Sequence, residues 1–407
     1  MAGIDGCKPG GFRVKRLLLL GAGHAHVNVL ADLARQPLAG WDVQLVTPYR
    51  RQIYSGMLPG WIAGHYPIDA CAIKLDQLAS AAAVSFHETS GLGLDLEQSA
   101  LRCADGSGLR FNVLSIDTGP MPALHGLPGS ALHALPVRPI ERFIGAWPRL
   151  VDRILGQCRR FDLVILGAGA AGVELAFAIQ RRAATDGWSH LVITLVGSED
   201  LPLTGVPLST RRHTARLLSQ RGIRWLAARR ATRVEADVIG FETGEPLTFD
   251  ACLVSTGAAA PTWPAAGGLA TDEQGFIRVG PTLQSLSHPN IFAAGDAAAY
   301  ADARPKSGVY AVRAGPVLAD NLRAYCEGRP LRSWSPQTRA LYLISTGDRH
   351  ALATWGPWSW SGRWVWRWKD RIDRQFMQRF GTPNSMTTDS TTTPVDPIGK
   401  RRESPWE

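Results

Sequence analysis

The chain has 407 residues, 45% hydrophobic and 19% charged, which excludes a disordered polymer and suits two packed domains with appendages. Its formal charge of +9 favours an anionic partner, nucleic acid or a membrane surface, without choosing between them. Six scattered cysteines with no CxxC argue against a disulfide scaffold and a zinc cluster, so no metal site is expected and a reducing compartment fits.

Residues 1–13 are Gly-rich and unpatterned, and a disordered leader is expected there. Residues 14–20 are a near-continuous apolar run, as a buried parallel strand should be. The run is too short to span a bilayer and leads into Gly21-Ala22-Gly23-His24-Ala25-His26. A helical pattern (Val27, Leu30, Leu33) and a second strand, 43–46, complete a βαβ unit. Residues 113–117 form a strand ending in Thr118-Gly119. The βαβ pattern then repeats: strand 162–166, loop Gly167-Ala168-Gly169-Ala170-Ala171-Gly172, helix 173–182, strand 191–196. Residues 252–255 run into Thr256-Gly257 and 291–294 into Gly295-Asp296, and a helix is expected over 310–325. Residues 331–354 read as short strands and turns, 355–380 as a Trp-rich basic segment, and 381–407 as a disordered Thr/Pro/Ser-rich tail.

The expected fold class is α/β, with two Rossmann-like three-layer domains, the second inserted in the first, and a C-terminal α+β appendage. The expected boundaries are 14–140 with 270–330 for the first domain, 141–269 for the second and 331–380 for the appendage.

A G-x-G-x-x-G loop works because glycine permits the tight turn and close backbone approach. The following helix then offers free N–H groups and a positive dipole end to a pyrophosphate. The second loop fits this pattern completely; a glycine-lined tight turn is the plainer reading. The first loop has His26 in place of the third glycine, which should push helix and strand slightly apart. The ribose-binding acid is missing after the first unit's second strand, where Thr47-Pro48 follow and Thr47 offers a weaker contact. In the second unit Glu199 is placed to accept from a ribose 2′-OH, favouring NAD over NADP. Arg211 and Arg212 lie too far along to argue for a 2′-phosphate. Asp296 suits a ribitol hydroxyl, with Gly295 allowing approach, or a helix N-cap; both readings hold together. One loop then serves FAD and the other NAD(P)H.

Together these residues resemble the pyridine-nucleotide-disulfide oxidoreductase superfamily, in its branch related to type II NADH dehydrogenases. More narrowly, the chain resembles the dehydrogenase-like module sometimes fused to selenide, water dikinase. The phrases that carry this are Gly21 to Val27, Tyr54-Ser55-Gly56-Met57-Leu58-Pro59-Gly60, Arg304-Pro305-Lys306-Ser307-Gly308-Val309 and Trp364-Val365-Trp366-Arg367-Trp368-Lys369-Asp370. The resemblance implies that Gly21, Gly23 and the backbone of His24, Ala25 and His26 cradle the FAD pyrophosphate. It puts the Tyr54–Gly60 phrase, with Met57 and Pro59, beside the isoalloxazine, and Gly167, Gly169, Ala170, Ala171 and Gly172 on the nicotinamide dinucleotide. Thr118-Gly119 and Thr256-Gly257 match its Thr-Gly strand ends. Glu174 matches a glutamate near flavin and nicotinamide; its other reading is an acid stabilised by the helix dipole. Lys306 would stabilise negative charge on the reduced ring, or is solvated surface. The redox cysteine pair is absent, no cysteine lies between Gly295 and Tyr325, and Arg313-Ala314-Gly315 stands where the quinone reductases usually carry a glutamine.

The implied activity is an FAD-dependent NAD(P)H oxidoreductase, NADH favoured, passing hydride to flavin N5 and two electrons to an external acceptor, foremost a quinone. The alternatives are reduction of a selenium or sulfur species, and a slow flavin-bearing redox sensor. In the segment 355–380, apolar residues recur at i+4 steps (Trp360, Trp364, Trp368, Ile372, Phe376, Phe380) among arginines. Two readings stay open: an interfacial membrane helix, and an amphipathic helix covering the flavin domain. No nucleic-acid motif accompanies the charge, so no nucleic acid is expected; a homodimer is left open. The expected location is the cytoplasm, with peripheral attachment to the inner face of the cytoplasmic membrane as its extension.

Overall fold

The computed structural model describes residues 14–380; the expected leader and tail lie outside the described residues. The opening run folds as the strand Lys15–Leu20, buried from Leu17 onward, as uninterrupted leucines demand of a strand covered on both faces. It is central in a five-stranded parallel sheet of order Ser85–Glu88, Trp41–Thr47, Lys15–Leu20, Val113–Ile116, Ile291–Ala293. By chain position this is the doubly wound order 3-2-1-4-5, which opens a crevice where the winding reverses, between the first and fourth strands.

A second five-stranded parallel sheet repeats the plan, with Arg224–Leu226, Leu191–Val196, Phe161–Leu166 and Ala251–Val254 in order and Leu135–Pro136 at the edge. The first sheet's last strand follows the whole second sheet in the chain, so the second unit is inserted in the first. Each unit also carries a three-stranded antiparallel meander, and the two connecting segments pair as Met121–Pro122 with Ala258–Ala259. One core containing Ile53, Met57, Trp147, Phe177, Ile344 and Leu352 joins both units to the C-terminal region.

That region is an antiparallel sheet of Leu341–Ser345, Ala351–Trp355 and Trp358–Gly362, followed by the helix Arg363–Phe380. The helix turns Val365, Lys369, Asp373 and Phe380 inward. Trp364 and Trp368 face outward, 53% and 38% exposed, and Trp355, Trp358 and Trp360 are exposed on the preceding hairpin. The helix thus covers the core while the tryptophans form its outer surface. The i+4 aromatic row splits between the two readings: of its members, Phe376 and Phe380 pack inward and the tryptophans face outward.

Candidate functional site

The two glycine loops share one backbone frame. Gly21 N donates to Val46 O and Asp117 N to Leu20 O; in the second unit Gly167 N donates to Val196 O and Ser255 N to Leu166 O. Gly21 and Gly167 both have positive φ, +84° and +106°, where an L side chain is strained. A Cβ on either would stand 2.5 Å from Asp117 O or 2.6 Å from Ser255 O. Position 117 in the first crevice is therefore position 255 in the second.

The second loop is closed beneath and open above. A Cβ on Gly172 would lie 1.8 Å from Gly167 O, so glycine alone lets the helix Ala170–Asp186 pack this close to its strand. Gly169, Ala170 and Ala171 are exposed, leaving the helix N-terminus accessible to a pyrophosphate. Beside it, Thr256 Oγ1 is buried without a hydrogen-bond partner, an orphan that suits a polar ligand. Gly257 has open space around its Cα. At the neighbouring strand end Gly197 admits the Trp225 ring, and Glu199 is exposed one step on. Arg211 is committed to the carbonyls of Leu201 and Pro202.

The first loop is built differently. His26 Nδ1 lies 2.5 Å from Gly21 O and Nε2 lies 2.8 Å from Ser115 Oγ. A carbonyl only accepts, so Nδ1 carries the proton and Nε2 accepts from the serine hydroxyl. Burial pushes the His26 pKa down to about 4 against the opposing Gly21 carbonyl, so the ring is neutral. The ring spans the gap that Gly172 closes in the second loop. The Asp117 carboxylate fills the mouth: its Oδ2 accepts from Ala25 N at 2.8 Å and His26 N at 2.9 Å. Asp117 packs so tightly against Gly23 and Gly295 that a Cβ on either would stand 2.4 Å or 2.6 Å from its Oδ1. Burial raises its pKa to about 7, against the two amides, and Asp296 adds to the rise. Sequence reasoning noted Asp117 only as a strand end.

Around this crevice, Asp296 lies in a short 3₁₀ turn, Gly295–Ala297, and pairs with Arg138 at 3.3 Å. Burial raises its pKa; Arg138 and Lys306 oppose. Lys306 is half-buried and not solvated surface: its Nζ donates to Ala298 O at 2.6 Å and lies 3.7 Å from the Phe276 ring centre. Burial lowers its pKa despite Asp296 and Asp272. Thr47 is buried at its strand end, Pro48 and Gly119 are half-buried and Thr118 is exposed. His24 contacts the rings of Tyr54 and Phe376, and its Nε2, like Gln52 Oε1, is buried without a partner. These orphans and the glycines of the crevice fit a large polar cofactor such as FAD. Met57 and Pro59 are buried, whereas Tyr54, Ser55 and Gly56 are half-buried.

Glu174 stands in the second turn of the second-loop helix, half-buried, and reaches a network in which Lys369 and Asp373 are buried. Its Oε1 accepts from Ser345 N at 2.8 Å. Burial raises its pKa to about 7; Lys369 and the Ser345 amide oppose, and Asp373 adds to the rise. Lys369 Nζ pairs with Asp373 at 2.6 Å and donates to Gly56 O at 2.6 Å. Burial works against the Lys369 charge, but Asp373 and Glu174 outweigh it and raise its pKa. Asp373 also accepts from Tyr54, whose ring stacks on Phe376 with centroids 4.4 Å apart. Neither Lys369 nor Asp373 stands out in the sequence as a site residue; their i, i+4 spacing and opposite sign were the available signal.

A family model described as pyridine nucleotide-disulphide oxidoreductase matches residues 15–315. The chain belongs to that family. As a member it is an FAD-dependent oxidoreductase that uses NAD(P)H, with the two-Rossmann fold expected. It is 27% identical to ferroptosis suppressor protein 1 of Xenopus tropicalis over 277 residues, 65% of this chain and 69% of that one. It is 24% identical to demethylphylloquinone reductase NdbB of Synechocystis over 330 residues, 78% of this chain and 81% of that one. The sulfide:quinone oxidoreductase of Aquifex aeolicus shares the fold, with a TM-score of 0.75 and 16% identity over 90% of this chain and 91% of that one. So does NDH2 of Plasmodium falciparum, solved with NADH, with a TM-score of 0.74 and 13% identity over 90% of this chain and 98% of that one.

Proposed function

We propose that the chain oxidises NAD(P)H, NADH by preference, with FAD in the first crevice, and delivers the electrons to a quinone at the inner face of the cytoplasmic membrane. The observation that carries this is the Glu174–Lys369–Asp373–Tyr54 network, with Lys369 and Asp373 buried at its centre. It ties the nicotinamide-loop helix to the flavin-facing phrase and to the helix that carries the exposed tryptophans. Demethylphylloquinone reductase and sulfide:quinone oxidoreductase, both similar to this chain, are named for quinones.

When bound, FAD supplies the hydride acceptance and two-electron transfer. Gly167, Gly169, Ala170, Ala171 and Gly172 would hold the pyrophosphate of NAD(P)H and fix its orientation, and Glu199 would take the ribose hydroxyl. Gly21, Gly23, His24, Gly295 and Asp296 would line the flavin site. Glu174, with a pKa near 7, holds a proton on its carboxyl or releases it at neutral pH, as quinone reduction requires. Lys369 pins the Gly56 carbonyl and keeps a positive charge beside Glu174. The Tyr54–Phe376 stack excludes water from this junction. Cys71 lies nearby, but burial first and Asp373 next push its thiol up to about 12, so it stays protonated and does not favour sulfur or selenium chemistry.

Trp355, Trp358, Trp360, Trp364 and Trp368, with exposed Arg363, Arg367 and Arg371, give the C-terminal region an amphipathic outer surface suited to a lipid interface. No helix among the described residues is long and apolar enough to cross a membrane. Because this helix is built into the core, truncation is a poor test. Replacing Trp358, Trp364 and Trp368 with alanine should release the protein from anionic liposomes with its flavin retained; unchanged co-sedimentation removes the membrane assignment. Anaerobic mixing with NADH should bleach the flavin band quickly, and a quinone should restore it. Restoration only by selenium or sulfur compounds, or no useful bleaching, contradicts the proposed reaction.

A further inference from the structure

We propose that the Asp117 carboxylate is a built-in proton gate on flavin loading: it occupies the helix N-terminus that the FAD pyrophosphate faces, and FAD binds with uptake of one proton at Asp117. The inference rests on the assignment of FAD to the first crevice and deepens it.

Asp117 sits at the reversal point of the first sheet, where a doubly wound fold binds its ligand. The amides of Ala25 and His26, which a Rossmann helix ordinarily turns toward phosphate, are taken by its Oδ2 at 2.8 Å and 2.9 Å. Gly23 and Gly295, the glycines that allow cofactor approach, are pressed against the same carboxylate. The second crevice has Ser255 in the equivalent place, which brings no charge, and its helix N-terminus is open. An ionised Asp117 would oppose the doubly negative pyrophosphate across a short, dry distance; a neutral one would not.

The charged groups facing Asp117 leave it as the group that responds near neutral pH. His24 and His26, on the helix, are held down to about 4, chiefly by burial, and stay neutral. Asp296, on the opposite turn, is countered by Arg138 and Lys306. The Tyr300 hydroxyl is pushed up by burial, then by Asp117 and Asp296, and stays protonated. Asp117 loses its proton as pH rises through about 7. FAD affinity should then fall above that pH, approaching about tenfold per unit.

The test is FAD binding to flavin-stripped full-length protein between pH 5.5 and 8.5, with proton uptake read by calorimetry in two buffers of different ionisation enthalpy. The wild type should take up close to one proton per FAD near pH 8. Asp117→Asn keeps an acceptor for the two amides; Asp117→Ser installs the second crevice's own residue. Both should bind FAD more tightly than wild type at pH 8, with little pH dependence. FAD binding by the wild type with no proton uptake overturns the gate alone, whether or not the variants fold. Equal pH dependence in wild type and Asp117→Asn also overturns it. No FAD binding at any pH overturns the flavin assignment and the gate with it.

Discussion

The two glycine loops share a frame and differ in two residues that decide their chemistry. In the second loop Gly172 lets helix meet strand and Ser255 leaves the mouth clear, which suits a dinucleotide that comes and goes. In the first, His26 bridges Gly21 O and Ser115 Oγ, and Asp117 fills the mouth. That suits a resident cofactor installed under control. A motif thus sets the backbone path, while the residue opposite the helix end sets the charge that an incoming phosphate meets.

The largest expected effect lies where the two crevices are joined. Lys369→Met leaves Asp373 and Glu174 as buried carboxyls without their cation and should cost about 3–5 kcal/mol, read as a lower urea midpoint. An unchanged midpoint would mean that the network does not join the crevices. Next, Glu174→Gln should lower quinone-dependent turnover about 10²-fold while leaving the NADH dissociation constant nearly unchanged. Because burial raises the Glu174 pKa to about 7, its contribution to stability is fully present below the ordinary carboxyl range and lost as pH rises through 7. The Gln variant should therefore show a flatter stability-against-pH curve; a curve parallel to the wild type would place the titration elsewhere.

The paired strands and both loops were legible in the sequence, because continuous apolar runs and glycine spacing are local signals. Asp117 was not: it stands 92 positions from Ala25, and only the sheet order brings them together. The buried face of the last helix was hidden for a different reason. Aromatic residues at i+4 steps imitate a core stripe, whereas the inward face carries Val365, Lys369 and Asp373, whose charges are tolerable only because Glu174 and Gly56 await them. Lys306 read as a lone lysine because its partners, Ala298 O and the Phe276 ring, carry no sequence mark.

Two smaller changes sharpen the contrast between the loops. His26→Gly gives the first loop the second's third glycine but strands Gly21 O and Ser115 Oγ; a loss of roughly 1–3 kcal/mol in unfolding free energy is expected. A variant as stable as the wild type would mean that the ring is dispensable. Glu199→Gln should raise the KM for NADH about tenfold and narrow the preference over NADPH. Equal kinetics with both nucleotides in wild type and variant would remove Glu199 from the ribose site.

The division of labour itself is tested by placing one valine in each loop, at the third glycine of the second and the first glycine of the first, and measuring bound flavin and its anaerobic reduction by NADH. Gly172→Val should yield a yellow protein that NADH fails to reduce but dithionite bleaches, and Gly21→Val should yield folded protein without flavin. A colourless Gly172→Val, or a yellow Gly21→Val reduced at the wild-type rate, would contradict the assignment of one dinucleotide to each crevice.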